Sequence, residues 1–376
     1  MHPDNLMCTA TTPPMDCATR ALGLSILASA NNARCLRLVT LGLGGSCLGV
    51  PARVWLTCRR FHTVDEISCR TVDSLNMPGK PMLSSLVSNG LLQTPDRLEP
   101  MVPWWSFTKT VLAATALSLV RDGLIRLDDP VLDQPFTLRQ LLRHEAGLAD
   151  YGELAQYHAA VSNNEPAWPA NEMMQRLDGT QLRYSPGTGW RYSNVGYWFI
   201  ARLIERLTDL TLDDAVIQRA LCPLGLSNVR FAKTRADLQT THSASASNYD
   251  PAWVYHGLLI GPTSQAALFL NRLLCTDLLC PGLLLEMQTA RRLGGPIPGR
   301  PWITPGYGLG VMQGSIDGGY SLCGHTGCGP GSVIAVYRVC DGDASACSTV
   351  FAAGASEGAV EAIVVEQLMQ ALRQRG

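Results

Sequence analysis

The run from Ser106 to Arg121 constrains the fold more than any other stretch of the sequence. It holds neither glycine nor proline and is rich in alanine and leucine. Gly123 follows it, a residue type that closes helices by adopting a left-handed conformation. The pattern predicts a buried helix with a serine in its first turn. Further helices are expected at Leu138 to His144 behind Thr137, at Leu212 to Leu221 and at Ser264 to Leu274. Another is expected at Asn194 to Leu207, where Ile200, Leu203, Ile204 and Leu207 form an apolar stripe.

A buried helix needs layers to cover it. A short strand is expected within Gly90 to Val102, where Pro95 and Pro100 interrupt it. Tyr307 to Met312, Ser332 to Val339 and Thr349 to Ala353 are β-branched or aromatic runs separated by turns, and Val360 to Arg373 closes the chain as a helix. The expected fold class is α+β, an antiparallel sheet flanked by helices with a mainly helical subdomain inserted at about 123–300.

Residues 1–80 lack this regularity and are expected to be an irregular extension, with the functional domain at 81–376 starting near Met77 or Met82. Gly42, Gly44 and Gly45 lack the Lys-Ser/Thr ending of a phosphate loop. The stretch 21–33 resembles the apolar core of an export signal, but Asp4 and Asp16 spoil the basic region before it, so a cytoplasmic protein is expected ahead of an exported one. The 13 cysteines are an odd number with no CxxC pair, which points to free thiols in a reducing compartment and away from a zinc site. No metal or cofactor is expected. A net charge of −1 gives no basic field for nucleic acid, and no apolar run is long enough to span a membrane.

Lysine occurs only three times, at Lys80, Lys109 and Lys233, and only Lys109 has a serine three positions before it. On a helix those positions share a face, so the amine reaches the hydroxyl of Ser106. A lysine buried near positive charge, including a helix N-terminus, loses its proton and can accept one from serine. Arginine cannot do this. Tyr192, Ser193 and Asn194 occupy the turn entering a helix, placing a phenol and an amide on one loop; Tyr192 would be a second proton acceptor if a neighbouring ammonium lowered its pKa. His325, Thr326 and Gly327 lie in the glycine-rich stretch Gly324 to Gly331, where a strand edge can present a backbone amide to a substrate carbonyl.

In combination these three elements resemble the serine β-lactamase and penicillin-binding-protein superfamily, whose class A members carry the SxxK element. The tyrosine of the second element is similar to that of the class C β-lactamase, D-alanyl carboxypeptidase and esterase branch. The likeness extends to Gly123 to Val131, Thr137 to Tyr151, Pro186 to Tyr197, Tyr307 to Val311 and Gly324 to Val336. It implies that Ser106 is the nucleophile of an acyl-enzyme, that Lys109 and Tyr192 share acid and base work, and that Asn194 binds a substrate amide or orients the lysine. It also implies an oxyanion hole from the backbone amides of Ser106 and Cys328, with His325, Thr326 and Gly327 beside the substrate.

The expected substrate is a small ester, peptide or β-lactam. His325 stands where β-lactamases usually have lysine, which favours an esterase or amidase. With a reference pKa near 6.5 it would give an activity change between about pH 6 and 7 if one charge state is required. His144, Glu145 and Ala146 replace the usual His-Thr-Ser, a change expected to be structural. Tyr151, Trp190, Tyr249 and Trp253 are candidates for the pocket rim. The alternative is a catalytically silent binding or sensor protein that keeps the fold.

Overall fold

The structure, a computed structural model, describes residues 82–93, 99–179 and 181–374. The expectations for residues 1–80, including the signal-like stretch and the first six cysteines, fall outside the described residues. The chain opens with strands β1 (Leu83–Ser88) and β2 (Leu91–Leu92), reaches β3 (Val102–Pro103), and enters helix α1 (Thr108–Arg121). Helices α2 (Leu138–Leu142), α3 (Ala155–Ser162), α4 (Ala170–Arg176), α5 (Asn194–Thr208) and α6 (Leu212–Val216) follow. Then come β4 (Arg230–Ala232), α7 (Arg235–Gln239), β5 (Leu258–Gly261), α8 (Thr263–Cys275) and α9 (Pro281–Gln288). The last part holds β6 (Arg291–Arg292), β7 (Trp302–Thr304), β8 (Gly306–Tyr307), β9 (Met312–Ile316), β10 (Ser321–Gly329), β11 (Ser332–Asp341), β12 (Ala344–Ala353) and α10 (Glu357–Arg373).

Among the described residues one nine-stranded sheet runs in the order β2-β1-β12-β11-β10-β9-β8-β6, with β7 on β9, and every pairing in it is antiparallel. Strand β1 therefore joins the sheet at the far side of β12 from β11, so chain from before Ser106 completes a sheet made mostly after it. A three-stranded sheet, β3-β5-β4, lies beside α1.

The sheet is covered on both faces, which explains the unbroken apolar run of β11. Val333, Ala335, Tyr337 and Val339 pack with Val360, Val364 and Leu368 of α10. Ile334 and Val336 belong to the larger core with α1 and α8. Two-sided burial removes the polar alternation seen in strands with one wet face. Helix α1 is buried without interruption from Thr108 to Leu119, as the glycine- and proline-free run required.

Two boundaries differ from expectation for physical reasons. Tyr307 to Met312 is two strands, because the chain turns through Gly310, which sits at φ +79°. Strand β12 begins at Ala344, well before the β-branched residues; its small Ala, Ser and Cys residues have little strand preference of their own and are held by ladders to both β1 and β11.

Candidate active site

Ser106 lies in a single 3-10 turn, Trp105–Phe107, that feeds α1, so the helix proper starts two residues after the expected serine. Trp105 enters that turn at φ +41°, a strained conformation for a bulky residue. The two tryptophans hold it there. Trp104 Nε1 donates to the Gly261 carbonyl at 3.2 Å and Trp105 Nε1 donates to Ser332 Oγ at 3.0 Å, and both rings are buried. Burying two such rings at roughly 150–250 Å² each contributes about 4–6 kcal/mol apiece. That outweighs the ~1–3 kcal/mol of a left-handed backbone.

Lys109 is fully buried on the first turn of α1. Its Nζ donates to Ser106 Oγ (3.2 Å) and Asn194 Oδ1 (2.7 Å) and lies 3.3 Å from His256 Nε2. Burial pushes the amine down to about 7, with the Asp150 carboxylate opposing. The helix N-terminus adds a positive potential that acts the same way as burial. Tyr192 donates its phenol proton to Ser106 Oγ at 2.8 Å. The serine oxygen thus touches an amine and a phenol at once. Burial holds Tyr192 well above the usual phenol range, the reverse of the lowering expected from the ammonium, so its phenol is a donor in the resting site.

The Tyr192–Asn194 loop is fixed from below by the segment 144–150. Ser193 caps α5 by accepting from the Gly196 amide and donates to the Ala149 carbonyl at 2.8 Å. Its own amide donates to His144 Nδ1 at 3.1 Å. The Asp150 carboxylate accepts from the Asn194 amide (3.0 Å) and from Asn194 Nδ2 (3.1 Å). Because Asp150 takes both nitrogens, the amide oxygen of Asn194 must face Lys109. The sequence reading does not single out His144 or Asp150 as site residues.

The beta-lactamase family profile matches residues 94–341. The chain belongs to the beta-lactamase family. It is 29% identical over 175 residues to lovastatin esterase of Penicillium rubens, a match covering 39% of this chain and 43% of that protein. It is 28% identical over 152 residues to a D-aminopeptidase of Brucella anthropi, covering 38% and 29%. The matched region therefore spans less than half the length of these curated relatives. Among solved structures it resembles a D-stereospecific amidohydrolase from Streptomyces sp., at 25% identity and a TM-score of 0.61 over 75% of this chain and 92% of that one. The D-amino acid amidase of Ochrobactrum anthropi SV3 superposes with a TM-score of 0.61 at 20% identity, covering 78% and 93%, a likeness of fold.

Strand β10 carries His325, Thr326 and Gly327 with their side-chain positions on alternate faces. Gly327 passes directly against the Ser106 turn: a β-carbon there would lie 2.7 Å from the Ser106 nitrogen and from the Trp104 carbonyl oxygen. Only a residue without a side chain lets the strand approach Ser106 so closely. The amide of Cys328 follows on the same strand, while its half-buried thiol lies on the other face and packs with the core around α10.

His325 is buried, with both ring nitrogens engaged: Nδ1 donates to the Thr326 carbonyl at 2.7 Å, and Nε2 accepts from the Tyr307 hydroxyl at 2.9 Å. Burial pushes it down to about 3, so it carries no charge between pH 6 and 7 and provides no step there. Thr326 faces away from Ser106. Its hydroxyl bonds to Tyr337 and to Glu361 of α10, where Glu361 also pairs with Arg300 (2.8 Å). Sequence placed Thr326 beside the substrate; the two-residue period of the strand puts its side chain in the opposite core.

Of the rim candidates, Tyr151, Tyr249 and Trp253 are buried in an aromatic cluster and Trp190 is half-buried. Among the described residues no cysteine is in a disulfide, and no helix is long and apolar enough to cross a membrane.

Proposed function

We propose that the protein is a serine hydrolase that cleaves small esters or amides through an acyl-enzyme on Ser106. The observation that carries this reading is the contact of Ser106 Oγ with both Lys109 Nζ and Tyr192 Oη. With its cation destabilised by burial, Lys109 acts as the general base: its lone pair takes the Ser106 proton as the serine oxygen attacks the substrate carbonyl. The resulting oxyanion is received by the backbone amides of Ser106 and Cys328, donors set at the close approach of β10 to the nucleophile turn. Tyr192, protonated at rest, delivers its proton toward the leaving group and recovers one from Lys109. Water then attacks the acyl carbon with the same groups in reverse order.

Ester and amide substrates are preferred over β-lactams because the residue that usually supplies a cation at the third element is here a buried, neutral histidine bonded to Tyr307. Relatives that are a lovastatin esterase, a D-aminopeptidase and a D-stereospecific amidohydrolase agree with that preference. A hydrolysis panel of p-nitrophenyl acetate, D-Ala-p-nitroanilide and a chromogenic cephalosporin tests the reading. Turnover of the ester or the anilide that disappears in Ser106→Ala supports it. Failure of all three, or turnover that survives Ser106→Ala, favours the catalytically silent binding protein or another nucleophile.

A further inference from the structure

His256 lies between β4 and β5, is almost completely buried, and has no part in the mechanism described above. Its Nε2 is 3.3 Å from Lys109 Nζ, and its Nδ1 has no hydrogen-bond partner among the described residues. Lys109 Nζ therefore has three near neighbours of hydrogen-bonding type: Ser106 Oγ, Asn194 Oδ1 and His256 Nε2. We propose that His256 is a positioning residue that, together with Asn194, takes both N–H bonds of the free-base lysine and so aims the amine lone pair at the Ser106 hydroxyl. This rests on the acyl-enzyme reading above.

The argument follows from which neighbours can only accept. Asn194 presents its oxygen because Asp150 holds its nitrogen. While Lys109 is an ammonium, an N–H on His256 Nε2 would set donor against donor, so the ring proton resides on Nδ1 and Nε2 is an acceptor. The three ammonium protons then meet three acceptors. When one proton leaves, the amine keeps its N–H bonds on the two groups that cannot return a hydrogen, Asn194 Oδ1 and His256 Nε2. Ser106 is the neighbour that can reverse its bond and become the donor. In the reaction the Oγ–H bond breaks and its proton passes to Lys109 Nζ, the Oγ–carbonyl carbon bond forms while the C=O π pair moves onto the carbonyl oxygen, and the lysine regains its third N–H.

The groups facing this lysine and histidine are Asp150 behind Asn194, the rings of Tyr192 and Tyr197 at 5.0 and 5.7 Å from Nζ, and the neutral rings of His144 and His325, whose protonated forms would further disfavour a charge on His256. Burial and the neighbouring lysine both hold His256 well below the usual histidine range, so it keeps the neutral form that accepts.

Two substitutions and one spectrum test this. The acylation burst with p-nitrophenyl acetate is measured against pH in wild type, His256→Phe and His256→Gln, with melting temperatures as a folding control. Phenylalanine fills the site without an acceptor; the expected result is a burst rate roughly tenfold to a hundredfold lower, the scale of a misdirected reacting group. A changed pH profile is expected with it. Glutamine offers an oxygen where Nε2 lies and recovers most of the lost rate. Equal rates and profiles in wild type and His256→Phe overturn the proposal, as does a His256→Gln variant as slow as His256→Phe. If His256→Phe does not fold, the 15N spectrum of histidine-labelled wild type decides: an unprotonated Nε2 supports the proposal and an Nε2–H overturns it. A folded wild type that forms no fluorophosphonate adduct on Ser106 defeats the acyl-enzyme reading instead, and the spectrum still reports the tautomer.

Discussion

Replacing Gly327 by alanine perturbs the relation between β10 and the proposed nucleophile Ser106 without removing a polar group. The added methyl would sit 2.7 Å from the Ser106 nitrogen and the Trp104 oxygen and 2.8 Å from the Trp105 β-carbon. Ordinary contact begins near 3.4 Å, so the strand and the turn must part by about 0.7 Å. None of the three obstructing atoms is the end of a flexible side chain, and Trp104 and Trp105 are anchored by their own hydrogen bonds. The movement is therefore forced on the two backbones that carry the Ser106 and Cys328 amides. A misplacement of about 1 Å costs on the order of a hundredfold in rate. The expected fall in acylation is roughly tenfold to a hundredfold, about 1.4–2.7 kcal/mol of transition-state stabilisation. Overpacking costs a further ~1–3 kcal/mol of stability. Stopped-flow acylation by p-nitrophenyl acetate reads the first quantity and urea unfolding the second. A folded Gly327→Ala protein acylated within about twofold of wild type would refute the reasoning, since removal of a single oxyanion donor costs about 3 kcal/mol.

Acylation is expected to rise with pH through about 7 and then level off, because the ammonium of Lys109 is inactive and the amine, favoured by burial, grows as the proton leaves. The step should persist in His325→Asn, and its absence from the wild-type pH–rate profile would contradict the base assignment. Asp150→Asn removes the carboxylate that opposes this loss of charge, so the same step should move to lower pH; imperfect pairing of the Asn194 nitrogens should also cost about 1–3 kcal/mol in urea unfolding. A step that stays in place or moves upward counts against the pairing. Glu361→Ala takes one of two carboxylate partners from the mostly buried Arg300, which keeps Glu357, and removes the acceptor of Thr326 and Tyr337, and the expected loss is about 1–3 kcal/mol of stability. A change below about 1 kcal/mol in the unfolding midpoint analysis would refute that.

The sequence displayed what depends on local period. The buried helix α1, the striped α5, the apolar run of β11 and the closing helix α10 were all legible, because each has its signal in consecutive residues. So was the meeting of Ser106 with Lys109, which needs only one helical turn, and the resemblance supplied Tyr192 and Asn194. What stayed hidden comes from pairing distant segments. Strand β1 has little pattern of its own and exists through its ladder with β12. His256 precedes an ordinary apolar strand, with nothing nearby to mark it, and only the packing of that segment against α1 brings it to Lys109. The facing of Thr326 depends on strand register, which a glycine-rich stretch leaves open. The direction of the Tyr192 shift was missed for a related reason, since sequence reveals a neighbouring charge more readily than the burial that outweighs it.

The central claim is a covalent bond to one oxygen atom. Intact-mass and peptide-mapping spectrometry after brief exposure to a fluorophosphonate measures it directly. The account predicts a single adduct, located on the peptide containing Ser106, formed in wild type and missing from Ser106→Ala. An adduct that persists in Ser106→Ala, or a wild type that remains unmodified under conditions where the fold is intact, would contradict it.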